Sequence, residues 1–205
     1  MVKAPARRVA WWGKLPARGD FVGRGLPPRW RSDWDGWLQR GIALAAGTLD
    51  GAALRQCLGG FAPWRYLALP APGEAWCGIV VASHDRVGRA FPLTLAERLA
   101  APQAPADSAA RLASLLDAAA EGPEALEAAI AALPPRVALA AAPTAAWPQQ
   151  PASFWWPLAA DESAPPRAAT WPPEPALLLE LLALQPPSGT PGLASASASA
   201  RDWAS

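Results

Sequence analysis

A helix with three tryptophans on one face is the feature that most restricts how this chain can fold. The predicted helix begins at Pro27 and Pro28, because proline is tolerated in a first turn, where its missing N–H would have had no partner. Apolar residues then recur at helical spacing along one face: Trp30, Trp34, Trp37, Leu38, Gly41, Ile42 and Ala45. The spacing predicts that the three tryptophans enter the core while the charged face stays in water.

Short apolar segments elsewhere in the chain predict strands by their aromatic and β-branched content: 9–12, 64–69, 75–83, 91–95 and 153–158. The segments 75–83 and 91–95 flank a short polar connection that contains Gly88. We therefore expect these two strands to be antiparallel neighbours.

Three further helices are predicted in the second half of the chain. The first begins behind Asp107 or Ser108 as a cap and ends before Gly122. The second spans 123–133 and the third spans 173–184. In the third, four leucines are expected to face the core: Leu177, Leu178, Leu181 and Leu182.

Length and composition predict a single globular domain followed by a tail. The chain has 205 residues, of which 52% are hydrophobic, and this is enough for one buried core. From Gln185 onward the residues are small, polar and turn-forming, and their contacts cannot offset the entropy lost on ordering them. We therefore expect one domain over 1–184 and a disordered tail over 185–205.

The charge balance argues against two classes of partner. Eighteen basic and 17 acidic residues leave a formal charge of +1, without the basic surface that nucleic-acid binders and membrane-surface proteins usually carry.

The N-terminal segment lacks the apolar run of a signal peptide, and no segment holds about eighteen uninterrupted apolar residues. The expected location is the cytoplasm.

His84 is the only histidine in the chain, so any histidine-based catalysis would have to use it. Ser83, His84 and Asp85 are consecutive, but neighbouring side chains of an extended segment point to opposite faces, and a triad needs members from separate parts of the fold. Cys77 lies in an apolar strand, where a thiolate would be disfavoured. We therefore expect a protein without catalytic residues. A small hydrolase using Ser83, His84 or Cys77 is the alternative.

Metal and nucleotide sites are not indicated by any spacing in the chain. One histidine and two distant cysteines give no zinc pattern, and no acidic loop suits calcium. Gly13-Lys14 lacks the rest of a phosphate-binding loop, since Arg8 and Leu15 stand where the pattern needs a glycine and a hydroxyl residue. No cofactor and no metal are expected.

Two polar connections that contain glycine form the candidate site: 13–24, with the sequence GKLPARGDFVGR, and 83–89, with the sequence SHDRVGR. Their charged side chains could form salt bridges that hold one connection to the other, or could present a charged surface to a partner protein. Both interpretations stay open from the residues alone. The candidate partner contacts are Lys14, Asp20, Arg24, Asp85, Arg86 and Arg89.

The first connection and the helix after it resemble the N-terminal signature of the TagF family. The members of this family are accessory proteins of the bacterial type VI secretion system. That signature runs roughly W-x-G-K-L-P-x-x-G-D-F-v-x-R-x-L-P before a W-D-x-W-L-Q helix, and residues 11–41 follow it. The similarity covers about 9–184 and continues in four later segments: 62–69, 76–95, 153–158 and 171–182. One departure is His84, which stands where the family tends to have an aliphatic residue.

The resemblance implies an α/β three-layer sandwich with a mixed, partly antiparallel central sheet flanked by helices. It also implies a cytoplasmic, post-translational negative regulator that acts by protein–protein interaction, in some systems on a forkhead-associated protein. It implies no catalytic residue. A structural subunit of the secretion apparatus is a further alternative.

Overall fold

Strands and helices are interspersed along the chain in the computed structural model, which describes residues 9–99, 105–134, 150–161 and 163–183. The strands are β1 Val9–Gly13, β2 Val22–Arg24, β3 Trp64–Ala71, β4 Glu74–Val81, β5 Leu93–Leu99, β6 Ala152–Pro157 and β7 Arg167–Thr170. The helices are α1 Pro28–Ala46, α2 Gly51–Gly60, α3 Pro105–Ala113, α4 Leu116–Glu121, α5 Pro123–Ala132 and α6 Pro175–Leu181. The predicted tail at 185–205 lies outside the described residues. Within the described ranges, no helix combines the length and the hydropathy needed to cross a membrane.

The seven described strands form one sheet in the order β2-β1-β5-β4-β3-β6-β7, and each neighbouring pair is antiparallel. The expectation of a mixed sheet is therefore wrong for the described strands. A parallel pair needs a crossover that returns the chain to the end of the sheet where it started. Here β3 and β4 are joined by the two residues Pro72 and Gly73, and β4 and β5 by residues 82–92, so the chain reverses at each connection. The arrangement is still an α/β sandwich.

Helix α1 places its tryptophans against one face of the sheet, as its spacing predicts. Trp30, Trp34 and Trp37 are buried, and the ring of Trp34 stacks on Trp155 of β6 with centroids 5.9 Å apart. Further rings join this cluster from the sheet side: Tyr66, Trp76 and Trp171. These large, rigid side chains fill the space between α1 and the sheet.

Helix α6 lies against α1 and belongs to the same layer. A Cβ added at Gly41 would lie 2.7 Å from the Cβ of Leu178, so glycine is what lets the two helices come this close. The four leucines predicted to face the core are buried, and Leu179 is buried as well.

The opposite face of the sheet packs against α3, α4 and α5. Alternation along β4 explains how one strand serves both layers. Trp76 and Val80 join the cluster around α1, whereas Ile79 and Val81 join the cluster that includes the helices on the other side. The sheet is thus covered by apolar clusters on both faces.

The single helix predicted to begin at Asp107 or Ser108 and end before Gly122 is divided in the structure into α3 and α4. The hydroxyl of Ser114 donates to the carbonyl of Arg111 at 2.8 Å, a local bond that competes with the helical ladder. Gly122 ends α4, as the sequence predicts, with φ of 137°.

Three elements were not predicted from the sequence: α2, β2 and β7. Helix α2 begins behind Asp50, whose carboxylate accepts the N–H groups of Ala53 at 2.8 Å and Ala52 at 2.9 Å. These two hydrogen bonds hold the pKa of Asp50 below its ordinary value. Strands β2 and β7 are the sheet edges and have only three and four residues, too few to show a strand's alternation.

Candidate functional site

The two polar connections leave the sheet side by side. Thr94, near the start of β5, pairs with Trp12 near the end of β1 and with Val80 near the end of β4. Of the predicted connection 13–24, Gly13 belongs to β1 and residues 22–24 form β2, so the connection itself is residues 14–21; the predicted 83–89 lies within the connection 82–92 from β4 to β5. The two connections therefore emerge at the same end of the sheet.

Backbone groups join the two connections directly. The N–H of Arg86 donates to the carbonyl of Arg18 at 2.7 Å. The hydroxyl of Ser83 donates to the carbonyl of Lys14, also at 2.7 Å. Each connection thus satisfies polar groups of the other, which restricts the conformations of both.

Asp85 is the centre of the contacts between the connections and has no solvent exposure. Its Oδ2 accepts from Nζ of Lys14 at 3.0 Å and from Nε of Arg89 at 2.6 Å. Its Oδ1 accepts the backbone N–H groups of Val87 at 3.1 Å and Arg89 at 2.9 Å. The buried charge is therefore both paired and hydrogen-bonded, which is the condition under which a carboxylate can be buried.

The pKa of Asp85 results from two opposing effects. Burial raises the pKa of the carboxyl, whereas hydrogen bonds from the Arg89 backbone, the Lys14 and Arg89 side chains and the Val87 backbone lower it. The hydrogen bonds prevail, so the pKa lies well below its ordinary value. The carboxylate consequently stays charged at neutral pH and can hold both cations.

Lys14 is buried as well, and its position depends on Gly13. Gly13 has φ of 147°, and a Cβ there would clash with the carbonyl oxygen of Pro92, so glycine allows β1 to approach the start of β5. The ammonium group of Lys14 then lies over the ring of Phe21, 5.2 Å from its centroid, and beside Asp85. The Gly-Lys pair thus has a structural role at this end of the sheet.

Arg89 links the buried carboxylate to the surface. Its Nε binds Asp85, its Nη2 donates to the carbonyl of Gly19 at 2.7 Å, and 63% of its side chain is exposed. The guanidinium therefore stabilises its own turn through Asp85 and binds the other connection through Gly19. It also presents a positive charge to water.

The side chains of the other three predicted contacts take no part in the bonds to Asp85. Asp20 is exposed, and its Oδ1 accepts the N–H of Phe21 at 2.8 Å. Arg24 is exposed on β2, with Nη1 3.6 Å from Oε2 of Glu127. Arg86 is exposed, and no ion pair within the described ranges involves it. The structure brings together Lys14, Asp85 and Arg89, and the partner contacts assigned to all six residues stay a prediction.

Two apolar side chains on these connections were missed from the sequence. Val87 is 68% exposed at the turn and Phe21 is 38% exposed. The sequence signal for Val87 was its place between Arg86 and Gly88 in a tight polar turn, where a side chain cannot reach a core. Phe21 carried no such signal, because an aromatic residue just before a strand is ordinarily buried.

The side chains of Ser83 and His84, two residues of the hydrolase alternative, have backbone carbonyls as their described hydrogen-bond partners. Cys77 is buried in β4, the hydroxyl of Ser83 is bound to a backbone carbonyl, and Nδ1 of the exposed His84 lies 2.9 Å from the carbonyl of Asp85. The carboxylate that would orient a catalytic histidine is bound to Lys14 and Arg89. Within the described ranges, no cluster of three or more histidine, cysteine or acidic side chains is placed to hold a metal ion.

Comparison with known proteins places the chain in a family. Residues 10–142 match the family model described as the TagF N-terminal domain, type VI secretion system-associated. The chain belongs to the TagF family. A solved relative is PA0076 from Pseudomonas aeruginosa PAO1, known from a crystal structure at 2.05 Å; it is 34% identical, with a TM-score of 0.56, and the match covers 72% of this chain and 81% of that one. Among proteins with curated descriptions, none matches this chain significantly.

Both polar connections lie inside the matched TagF domain, at 14–21 and 82–92. The Lys14–Asp85 ion pair is therefore a feature of the family domain of this chain, and the protein is associated with type VI secretion.

Proposed function

We propose that this TagF-family protein is a cytoplasmic, post-translational negative regulator of a type VI secretion system. It acts by protein–protein interaction, with a forkhead-associated component as its partner, and performs no catalysis. Membership of a family associated with this secretion system supports the pathway. The negative direction of the regulation and the choice of partner are inferred from what the family resemblance implies.

The observation that carries a binding role is the pair of connections held together around Asp85. The buried carboxylate binds Lys14 of one connection and Arg89 of the other, and Arg86 bonds to the backbone of Arg18. A surface held in one conformation loses less entropy when it binds. The arrangement thus supports a preformed surface for another protein.

Deletion of the gene in its bacterial host tests the regulatory role. Under conditions that normally repress secretion, we expect the deletion strain to release the secreted tube protein into the medium. Expression of the wild-type chain from a plasmid should restore repression, and immunoblotting of culture supernatants measures both effects. Secretion that is the same with and without the gene would overturn the proposal.

A further inference from the structure

We propose that the exposed surface formed by Arg18, Phe21, Arg86, Val87 and Arg89, called here the double-loop surface, docks onto an acidic surface of the partner protein. This inference rests on the proposed regulatory function and specifies where and with what chemistry the partner binds. Lys14 and Asp85 then serve as its buried support and do not touch the partner.

The apolar part of the double-loop surface is unusual for this protein. Within the described ranges, Phe21 and Val87 are the only large hydrophobic side chains that are exposed. They lie on two connections that are bonded to each other. Single exposed apolar residues are common, but two on adjoining connections supply the apolar centre that protein interfaces use.

The charge around these two residues is mainly positive. The single negative charge of the buried Asp85 balances one of the two positive charges of Lys14 and Arg89, and the guanidinium of Arg89 is exposed. Arg18 is 46% exposed and, within the described ranges, pairs with Glu124, itself largely exposed, so water weakens that pair. Arg86 adds an exposed cation with no ion pair within the described ranges.

The carboxylates near this surface reduce its positive charge but do not outnumber the cations, since Lys14, Arg18, Arg86 and Arg89 stand against Asp20, Asp85 and Glu124. Glu124 pairs with Arg18, and Asp20 is directed to the N–H of the residue that follows it. Three guanidinium groups therefore lie on the same two connections as the two exposed apolar side chains. Arginine binds carboxylates through a planar pair of N–H donors, which makes a partner surface with aspartate and glutamate the complementary one.

The combination favours a protein over a nucleic acid. Protein surfaces that bind nucleic acid usually follow its phosphate backbone with many cations. This chain carries a formal charge of only +1, and the double-loop surface has three arginines. An exposed valine has no role against phosphates, whereas it suits a shallow apolar depression on a protein.

Charge and apolar variants test the surface while leaving its support intact. The variants are Arg86→Glu and Val87→Asp, since both side chains are exposed and their loss removes no described side-chain bond. The matched control is Arg98→Glu, an exposed arginine that pairs with Trp76 towards the other end of the sheet. Circular dichroism and thermal unfolding should match the wild type for all three proteins.

The first readout is repression in the host, which separates this inference from the proposed function. We expect wild type and Arg98→Glu to restore repression in the deletion strain, and Arg86→Glu and Val87→Asp to fail. If all four chains restore repression, the double-loop surface is excluded while the regulatory function stands. If the wild type itself restores none, the proposed function is what has failed.

The second readout is affinity for the purified forkhead-associated protein encoded in the same secretion cluster, measured by calorimetry. We expect each variant to lower the affinity at least about tenfold, the control to change it by less than about twofold, and wild-type affinity to fall as salt rises. Wild-type affinity that does not depend on salt would overturn the acidic partner surface. Tighter binding to duplex DNA than to this protein, lost in Arg86→Glu, would overturn the choice of a protein partner.

Discussion

Nζ of Lys14 lies 3.0 Å from Oδ2 of Asp85, and both side chains are buried. The pair joins two connections that are distant in the sequence and adjacent at one end of the sheet. A buried ion pair adds little net stability, because burying both charges has a solvation cost. Removing one partner is nevertheless strongly destabilising, since the other charge is left buried and unpaired. This end of the sheet should therefore respond strongly to changes at either residue.

Asp85→Asn should lower the melting temperature and loosen the connection from β4 to β5. The amide cannot balance the charge of Lys14, and it replaces one acceptor oxygen with a donor that faces Lys14 or the N–H groups of the turn. Calorimetry measures the first effect, and hydrogen exchange at the amides of Val87 and Arg89 measures the second. Asp20→Asn, at an exposed aspartate on the other connection, is the matched control and should behave as the wild type. Unchanged melting and exchange in Asp85→Asn would contradict the assigned role.

The contribution of Asp85 should also depend on pH in a defined direction. Its pKa is lowered in the folded protein, so its stabilisation is fully present above the unfolded pKa of about 3.9. The stabilisation is lost as the pH falls from there towards the lowered folded pKa. The difference in unfolding free energy between wild type and Asp85→Asn, measured in urea, should be constant near neutral pH and shrink below about pH 4. Asp50, whose pKa is also lowered, is present in both proteins and cancels from the difference. A difference that grows in acid would contradict this assignment.

Gly41→Ala should destabilise the protein even though alanine favours helices. The added methyl group would lie 2.7 Å from Leu178, and overpacking of this kind costs about 1–3 kcal/mol. Gly36, in the same helix, is the control, since a Cβ there meets only the guanidinium end of Arg40 at 3.1 Å. Gly36→Ala should stabilise by up to about 1 kcal/mol. Chemical denaturation of both variants measures the contrast, and equal effects would mean that α1 and α6 do not pack this closely.

His84→Ala should repress secretion as well as the wild type does. The imidazole is exposed, and its described hydrogen bond is to the carbonyl of Asp85. Complementation of the deletion strain, scored by release of the tube protein, measures the outcome. Loss of repression by a folded His84→Ala protein, present at wild-type level, would revive the hydrolase alternative.

Much of the architecture was predictable because it follows from local periodicity. The tryptophan face of α1 and the antiparallel pair of β4 and β5 both follow from spacing within a short window. Other features carry too little local signal. The edge strands β2 and β7 are too short to show a pattern, and the break between α3 and α4 lies beside a hydrogen bond from the Ser114 hydroxyl to the carbonyl of Arg111, which periodicity does not reveal. The expected mixed sheet came from family resemblance and is replaced by antiparallel pairing throughout the described strands.

The candidate site was predicted only in part, because the role of each residue depends on which elements pack around it. The sequence singled out the two glycine-containing connections and their charged residues, but left open whether these residues support the fold or contact a partner. It did not identify Phe21 and Val87 as exposed, since exposure depends on which elements pack over a residue.

The sequence by itself determined that three tryptophans share one helical face, because the 3.6-residue period is a property of the backbone. It also determined the family, since residues 10–142 match the TagF N-terminal domain. Only the tertiary structure decided that Asp85 is buried between Lys14 and Arg89 while Arg86 and Val87 face water. Burial and ion pairing arise when distant segments meet, and no local spacing specifies which segments those are.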